Sequence, residues 1–295
     1  MNTATLWTPS LTIRRLEYFV AELPILVIPA LLVARPAALA STTFLEMTVL
    51  FFLLFNLGDM ANCLSDVELD EVHKPHLSRA VRALGARAVL AQIALSGLAA
   101  LGLAAHLGWR SGDLLVPGLV LAGIPLGAAY SLEPVRFKRR GLLHLACQWA
   151  VLFLGPMLLT AIAMGERRPW LVLGFALAFG ALQEALLLVN CAEDFPEDTA
   201  HGVRTTIVAL GLSGGLELAV RLATVGALGL LTLLAALSRG RWAPLVLPAL
   251  VYPTAVAWLA SVRPTVPAIR RQAKYVPAVV TAVAWTTALT VWLVR

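Results

Sequence analysis

The sequence predicts an all-α, polytopic membrane protein: nine transmembrane helices around a central cavity, built from pseudo-repeated halves. Three observations carry that reading. The 295-residue chain is 59% hydrophobic and only 14% charged, which excludes disorder and is unusual for a soluble domain. Apolar runs long enough to cross a bilayer recur along its whole length. One acidic skeleton, Asn-Cys-x-x-Asp-x-x-x-Asp, also appears twice at the ends of such runs. It occurs as Asn62 to Asp70 and, 128 residues later, as Asn190 to Asp198.

The expected spans are 17–34, 43–63, 86–106, 114–131, 143–163, 169–191, 213–237, 242–262 and 273–294. The first follows Arg14 and Arg15 and contains Pro24 and Pro29. A cleaved signal peptide ending at Ala38-Leu39-Ala40 is the competing reading of that run. Its length and its two prolines argue against it. The second and sixth spans lead into the acidic skeletons, and the fourth and fifth are joined by the basic loop YSLEPVRFKRRG. The seventh carries Glu217 and Arg221, spaced as an internal ion pair. The spans fill the chain, so residues 1–295 read as one membrane domain. Of the 23 Lys and Arg residues, fifteen fall on the N-terminal side of these spans and seven on the other, Arg167 and Arg168 among them. Arg221 lies inside a span. The positive-inside rule then places the N-terminus and both acidic clusters in the cytoplasm, as in a bacterial-type inner membrane. The net charge of +6 follows from this topology. No basic face with interleaved aromatics stands outside the membrane, so no nucleic-acid partner is expected. The three cysteines show neither zinc spacing nor a disulfide framework.

At about 100° per residue, Asn62, Asp66 and Asp70 share one helix face, with Asp59 a turn earlier on the same side. Asn190, Asp194 and Asp198 repeat the arrangement, with Gln183 and Leu187 extending the stripe inward; Pro196 interrupts the second set. The three positions of a set span roughly 12 Å along the axis, too far for one metal on an ideal helix. Two metals, or a helix end that unwinds, would resolve this. Carboxylate and amide oxygens are hard ligands suited to magnesium, which protein carboxylates usually hold jointly with substrate phosphates. Repeating carboxylates at a membrane helix end is expensive enough to suggest function. The clusters therefore point to a membrane-embedded site for a metal-bound diphosphate. The 128-residue offset suggests an internal duplication.

Such a site needs cations. Lys74 follows Asp70 by four residues, Arg204 follows Asp198 by six, and the basic loop offers Arg136, Lys138, Arg139 and Arg140 beside Tyr130. Arg makes forked contacts to phosphate oxygens and Lys supplies a compact charge. For Arg139 and Arg140, topology alone is an equal explanation. Gln183 and Glu184 lie within the sixth span and would either touch a second substrate or bond across helices. His76, His144 and His201 are candidate bases, though loop histidines are more often solvated. Phe51, Phe52, Phe55, Trp149 and Phe153 could face a carbocation, but ordinary packing is the simpler reading for each.

These residues resemble the UbiA-type membrane prenyltransferase superfamily. NCLSDVELDEVHKP is similar to its first motif at Asn62, Asp66, Asp70, Lys74 and Pro75. EDFPEDTAHGVRTT is similar to its second at Asp194, Asp198, Gly202, Arg204 and Thr205, and YSLEPVRFKRRG to a third. The similarity covers the full chain, and three ordered motifs make it specific. Cys63 stands where the first motif usually has an Asp, Cys191 holds the corresponding place in the second, Glu133 replaces a common Pro, and His73 replaces the Asn before Lys-Pro. These departures bear on the acceptor side.

The resemblance implies transfer of an isoprenyl group from an isoprenoid diphosphate to a lipophilic acceptor, by ionisation to an allylic carbocation. It implies Mg2+ held by Asn62, Asp66, Asp70, Asn190, Asp194 and Asp198, with Lys74, Arg136, Lys138 and Arg204 on the diphosphate. Asp66, Asp70, Asp194, Asp198 and Tyr130 would carry catalysis. A donor tail would lie in an apolar tunnel, with Gly155 and Gly180 as small wall positions. An intramembrane terpene cyclase using the same donor without an acceptor is the alternative; a non-enzymatic transporter fits less well.

Overall fold

The computed structural model describes residues 4–166 and 169–295, without the side chains of residues 4–7 or of Val72 and His73. Arg167 and Arg168 therefore lie outside the described residues, as does the side chain of His73. Among the described residues every regular element is helical. Eight helical stretches are long and apolar enough to cross a membrane: Leu16–Val33, Thr42–Ser65, Ala86–Ser111, Leu142–Ala163, Trp170–Glu193, Thr206–Ser238, Ala243–Ala260 and Val276–Val294. A shorter apolar helix, Leu115–Ser131, stands at the place of the expected fourth span. The seventh, expected from residue 213, begins earlier, at Thr206. A break at Gly211 separates its first turn from the long segment that follows.

Chain contacts group the residues into two compact units, Met1–Phe19 with Glu46–Phe137, and Val20–Leu45 with Lys138–Arg295. In the first unit the Ala4–Thr12 helix packs on Pro75–Leu84, and Ala86–Ser111 packs on Leu115–Ser131. Pro75–Leu84 starts on a proline, whose fixed φ and missing N–H suit a first helical turn. It buries Leu77, Ser78, Ala80 and Val81 and leaves Arg79 and Arg82 exposed. Leu77, Ala80 and Val81 join Ile13, Met60, Cys63 and Val89 in one apolar core. Cys63 is thus a packing residue here, its Sγ 3.8 Å from the Ile13 carbonyl oxygen.

The second unit is organised on Trp170–Glu193, whose apolar stretch is the most buried of the spans. It packs most extensively against Thr206–Ser238, and also against Val266–Ala273 and Val276–Val294. Close approach is what the small residues permit. A Cβ on Gly226 would lie 2.6 Å from the Ala178 carbonyl oxygen. The other side of this helix takes the Trp149 side chain. A Cβ on Gly180 would fall onto the Trp149 indole nitrogen and lie 2.7 Å from its Cδ1. Gly180 therefore admits an aromatic ring of the same unit, where an open tunnel wall was expected. Gly155 follows a π-helical segment, Ala150–Leu154, and a Cβ there would meet the Ala150 carbonyl oxygen at 2.9 Å. Gly180 is therefore closed by a side chain, whereas Gly155 is exposed and meets only the backbone of its own segment. The phenylalanine candidates pack on other rings: Phe51 on Phe55, Phe52 on Phe19, Phe153 on Phe179. Glu217 and Arg221 form the expected ion pair.

Two candidate functional clusters

In the first unit the Thr42–Ser65 helix gives way to turns at residues 66–69 before the short Asp70–His73 helix. The four-residue register survives this break. The Asp66 amide donates to the Asn62 carbonyl at 3.0 Å, Asp70 to Asp66 at 2.8 Å and Lys74 to Asp70 at 2.9 Å. Asn62, Asp66, Asp70 and Lys74 therefore follow one another turn by turn, as their spacing requires. Asp66 and Asp70 are 4% and 8% exposed. The Lys74 Nζ lies 3.8 Å from Asp70 Oδ1.

Arg136 completes this half. Its Nη2 lies 3.1 Å from Asp66 Oδ1 and donates to the Ser65 carbonyl at 3.2 Å, while Nη1 lies 3.5 Å from Glu133 Oε1. The residue is 7% exposed. Its backbone is left-handed, at φ +39°, a region that costs a non-glycine residue about 1–2 kcal/mol. The Ser65 Oγ lies 3.0 Å from both the Asn62 carbonyl and Asp66 Oδ1. Tyr130 is half-buried at the end of Leu115–Ser131. Two participants escape a reading of motifs. Ser65 reads as an ordinary helix-end serine. Arg15 reads as a topology signal, yet its guanidinium is within electrostatic reach of Asp59 and Cys63 and lies over the Tyr18 ring at 4.3 Å.

In the second unit Trp170–Glu193 ends at Asp194, and Pro196 opens the short Phe195–Ala200 helix. Pro196 restarts a helix here, so the register continues: the Asp198 amide donates to the Asp194 carbonyl at 2.8 Å. Asp198 is 5% exposed, and Asn190 and Asp194 are half-buried. Lys138, with Asp194, Asp198 and Glu184, makes up the electrostatic surroundings of Cys191. Within the basic loop, Arg136 thus pairs with Asp66 of the first cluster, and Lys138 is within electrostatic reach of Cys191 and His144. Arg204 is exposed; its carbonyl accepts from the Gly141 amide at 2.6 Å. The Gly141 backbone sits at φ +60°, which glycine adopts without penalty. The Gly141 carbonyl in turn accepts from the Thr206 hydroxyl at 3.0 Å, and Thr206 Oγ1 lies 3.1 Å from His144 Nδ1. His144, expected near solvent, is buried and braces the loop that presents Arg204. His76 and His201 are exposed. Gln183 Nε2 bonds across helices to the Val280 carbonyl at 3.2 Å.

Among the described residues no three His, Cys, Asp or Glu side chains converge as a metal cage. Magnesium does not require such a cage. It keeps several waters and takes one or two carboxylates together with substrate phosphates, whereas zinc and calcium sites use more protein ligands. The half-sites supply hard oxygen donors, Asn62, Asp66 and Asp70 in one and Asn190, Asp194 and Asp198 in the other, each with a lysine nearby.

The model of the UbiA prenyltransferase family matches residues 23–276. No curated protein matches the chain. Solved structures do. A UbiA homolog from Aeropyrum pernix K1 superposes with a TM-score of 0.71 at 18% identity, over 95% of this chain and 98% of that one. A digeranylgeranylglyceryl phosphate synthase gives 0.70 at 14% identity, over 98% and 99%. A UbiA homolog from Archaeoglobus fulgidus bound to GPP and Mg2+ gives 0.67 at 15% identity, over 95% and 99%. At such identities the likeness is one of fold.

Proposed function

Because this chain belongs to the UbiA prenyltransferase family, we propose that it transfers an isoprenyl group from an isoprenoid diphosphate to a lipophilic acceptor within the membrane. The observation that carries the proposal is the pair of half-sites, each with helix-spaced Asn and Asp oxygens and a cation beside them. The Archaeoglobus relative binds GPP with Mg2+, which supports the same donor class and ion here. Asn62, Asp66, Asp70, Asn190, Asp194 and Asp198 would hold the magnesium. When bound, it supplies Lewis-acid neutralisation of the diphosphate oxygens.

The remaining steps belong to the chain. Arg136, Lys138, Lys74 and Arg204 hold the diphosphate and meet the negative charge that grows as the allylic C–O bond breaks, a field set in place before reaction. Arg136 is already constrained, since Asp66, the Ser65 carbonyl and Glu133 hold its guanidinium. Tyr130 presents an aromatic face and a hydroxyl to the cation. The apolar spans exclude water, which would otherwise quench it. The acceptor attacks C1 of the prenyl group and loses a proton. The charge bias supports a reading with the chemistry and the N-terminus at the cytoplasmic face.

The test uses purified protein in lipid nanodiscs with dimethylallyl, geranyl and longer isoprenoid diphosphates and magnesium. Diphosphate release and product mass are followed with and without an extract of membrane lipids. Release that depends on the extract, with a prenylated lipid formed, supports transfer. A hydrocarbon or alcohol formed without extract identifies a cyclase. No consumption of any donor under either condition refutes the proposal.

A further inference from the structure

The last 78 residues contain no acidic side chain; Glu217 is the final one in the chain. Within this stretch the Val266–Ala273 helix joins two spans and shows three different faces. Ile269 and Ala273 are buried. Arg270 donates to Glu197 Oε1 at 2.8 Å, which ties the helix to the segment bearing Asp198. The third face presents Ala268, Arg271, Gln272 and Tyr275, and with Ser261 and Arg263 it lines a cleft of about 290 Å3. Arg263 and Arg271 are exposed, and among the described residues neither forms an ion pair. The positive-inside rule explains why cations lie on this side of the membrane. It does not explain why two unneutralised arginines share one cleft with a serine, an amide and a phenol, while Arg270 beside them is neutralised.

We propose that this cleft binds a phosphate oxyanion, separately from the carboxylate clusters. Arg263 and Arg271 supply the forked donors that match phosphate oxygens, and Gln272 and Tyr275 supply neutral donors, while the Ser261 hydroxyl donates to the Trp258 carbonyl at 2.6 Å. The cleft adjoins the starts and ends of spans Ala243–Ala260 and Val276–Val294, with Tyr275 where aromatic residues mark the membrane interface. The phosphate belongs either to an anionic lipid headgroup or to a soluble phosphate or diphosphate. The inference does not rest on the proposed catalytic activity. Occupancy would brace Val266–Ala273, and through Arg270–Glu197 the helix that carries Asp198.

Native mass spectrometry of protein released from nanodiscs of mixed phosphatidylglycerol and phosphatidylcholine reads lipid retention. Calorimetric titration of inorganic phosphate and diphosphate into protein in pure phosphatidylcholine nanodiscs, without magnesium, reads the soluble source. Each is run on wild type, on Arg263→Gln with Arg271→Gln, and on Arg79→Gln with Arg87→Gln, which removes equal charge elsewhere. Two interfacial arginines are worth about tenfold or more in affinity. Phosphatidylglycerol retention that falls about tenfold only in the cleft variant identifies a lipid headgroup site. Loss of soluble phosphate or diphosphate binding only in that variant identifies a soluble anion site. Equal behaviour of the two double variants, or no binding by wild type in either arm, overturns the proposal.

Discussion

The contact between Asp66 and Arg136 invites the most searching measurement. The charges lie 3.1 Å apart between side chains that are each less than a tenth exposed. At an effective dielectric near 20 the gross attraction is about 5 kcal/mol, and desolvation of both groups opposes it. Glu133 adds little, since it is mostly exposed and such pairs contribute about 0–1 kcal/mol. Arg136→Gln would leave Asp66 a buried carboxylate without its guanidinium, a loss of about 3 kcal/mol at the low end for breaking a buried pair. Asp66→Asn should lose less, because Arg136 keeps the Ser65 carbonyl and reaches Glu133. The double variant places two neutral amides face to face and should lose less than the sum of the singles. A coupling of about 2 kcal/mol is expected. Arg136→Lys should fall between wild type and Gln, because one ammonium cannot span Asp66 and the Ser65 carbonyl as the fork does. The assay is reversible unfolding in mixed micelles across the four proteins of the cycle, with donor affinity measured alongside. A coupling under about 0.5 kcal/mol would show that the pair is not an energetic unit, and Arg136 would lose its place as the fixed cation of the first half-site.

Four further outcomes are expected. Asp66→Ala or Asp194→Ala, and equally excess chelator on the wild type, should lower turnover of an isoprenoid diphosphate by about a hundredfold or more; full turnover in chelator would sink the metal reading. Lys74→Gln and Arg204→Gln should each weaken donor binding by about tenfold while a topology reporter keeps its orientation, and inverted insertion with unchanged affinity would assign both to topology alone. Gly180→Leu should destabilise the protein by about 1–3 kcal/mol through collision with Trp149, without shifting donor-length preference; a shift in donor length at wild-type stability would return Gly180 to a tunnel wall. Glu184 is wholly buried and, among the described residues, neither of its carboxyl oxygens is hydrogen-bonded, so Glu184→Leu should raise stability by about 1–3 kcal/mol, and a lower melting temperature would reveal a partner for the carboxyl.

Periodicity is local, and what depends on it could be read from the chain. The apolar runs follow from bilayer thickness, and the turn-by-turn register of Asn62, Asp66, Asp70 and Lys74 from 3.6 residues per turn. The register even outlasted the break in the helix at residues 66–69, because the repeating amide-to-carbonyl bonds continue through it. The positions of Asp194 and Asp198 were legible for the same reason, although the effect of Pro196 was not: a proline that breaks a helix interior also starts a new one well. What only tertiary structure decided are the long-range pairings. Nothing in RFKRRG says that Arg136 turns to Asp66, 70 residues earlier in the chain, while Lys138 comes within electrostatic reach of Cys191. Arg136 reaches Asp66 from a left-handed backbone position, which no local pattern specifies. Helical phase placed Gly180 on the aspartate face, but phase cannot say whether a face meets a cavity or an indole ring. The fate of Arg270, neutralised by Glu197, against that of Arg271, open to a cleft, turns on about 100° of helix rotation relative to a neighbour. Such rotations are set by packing many side chains at once, so they become visible only when the whole helix surface has found its partners.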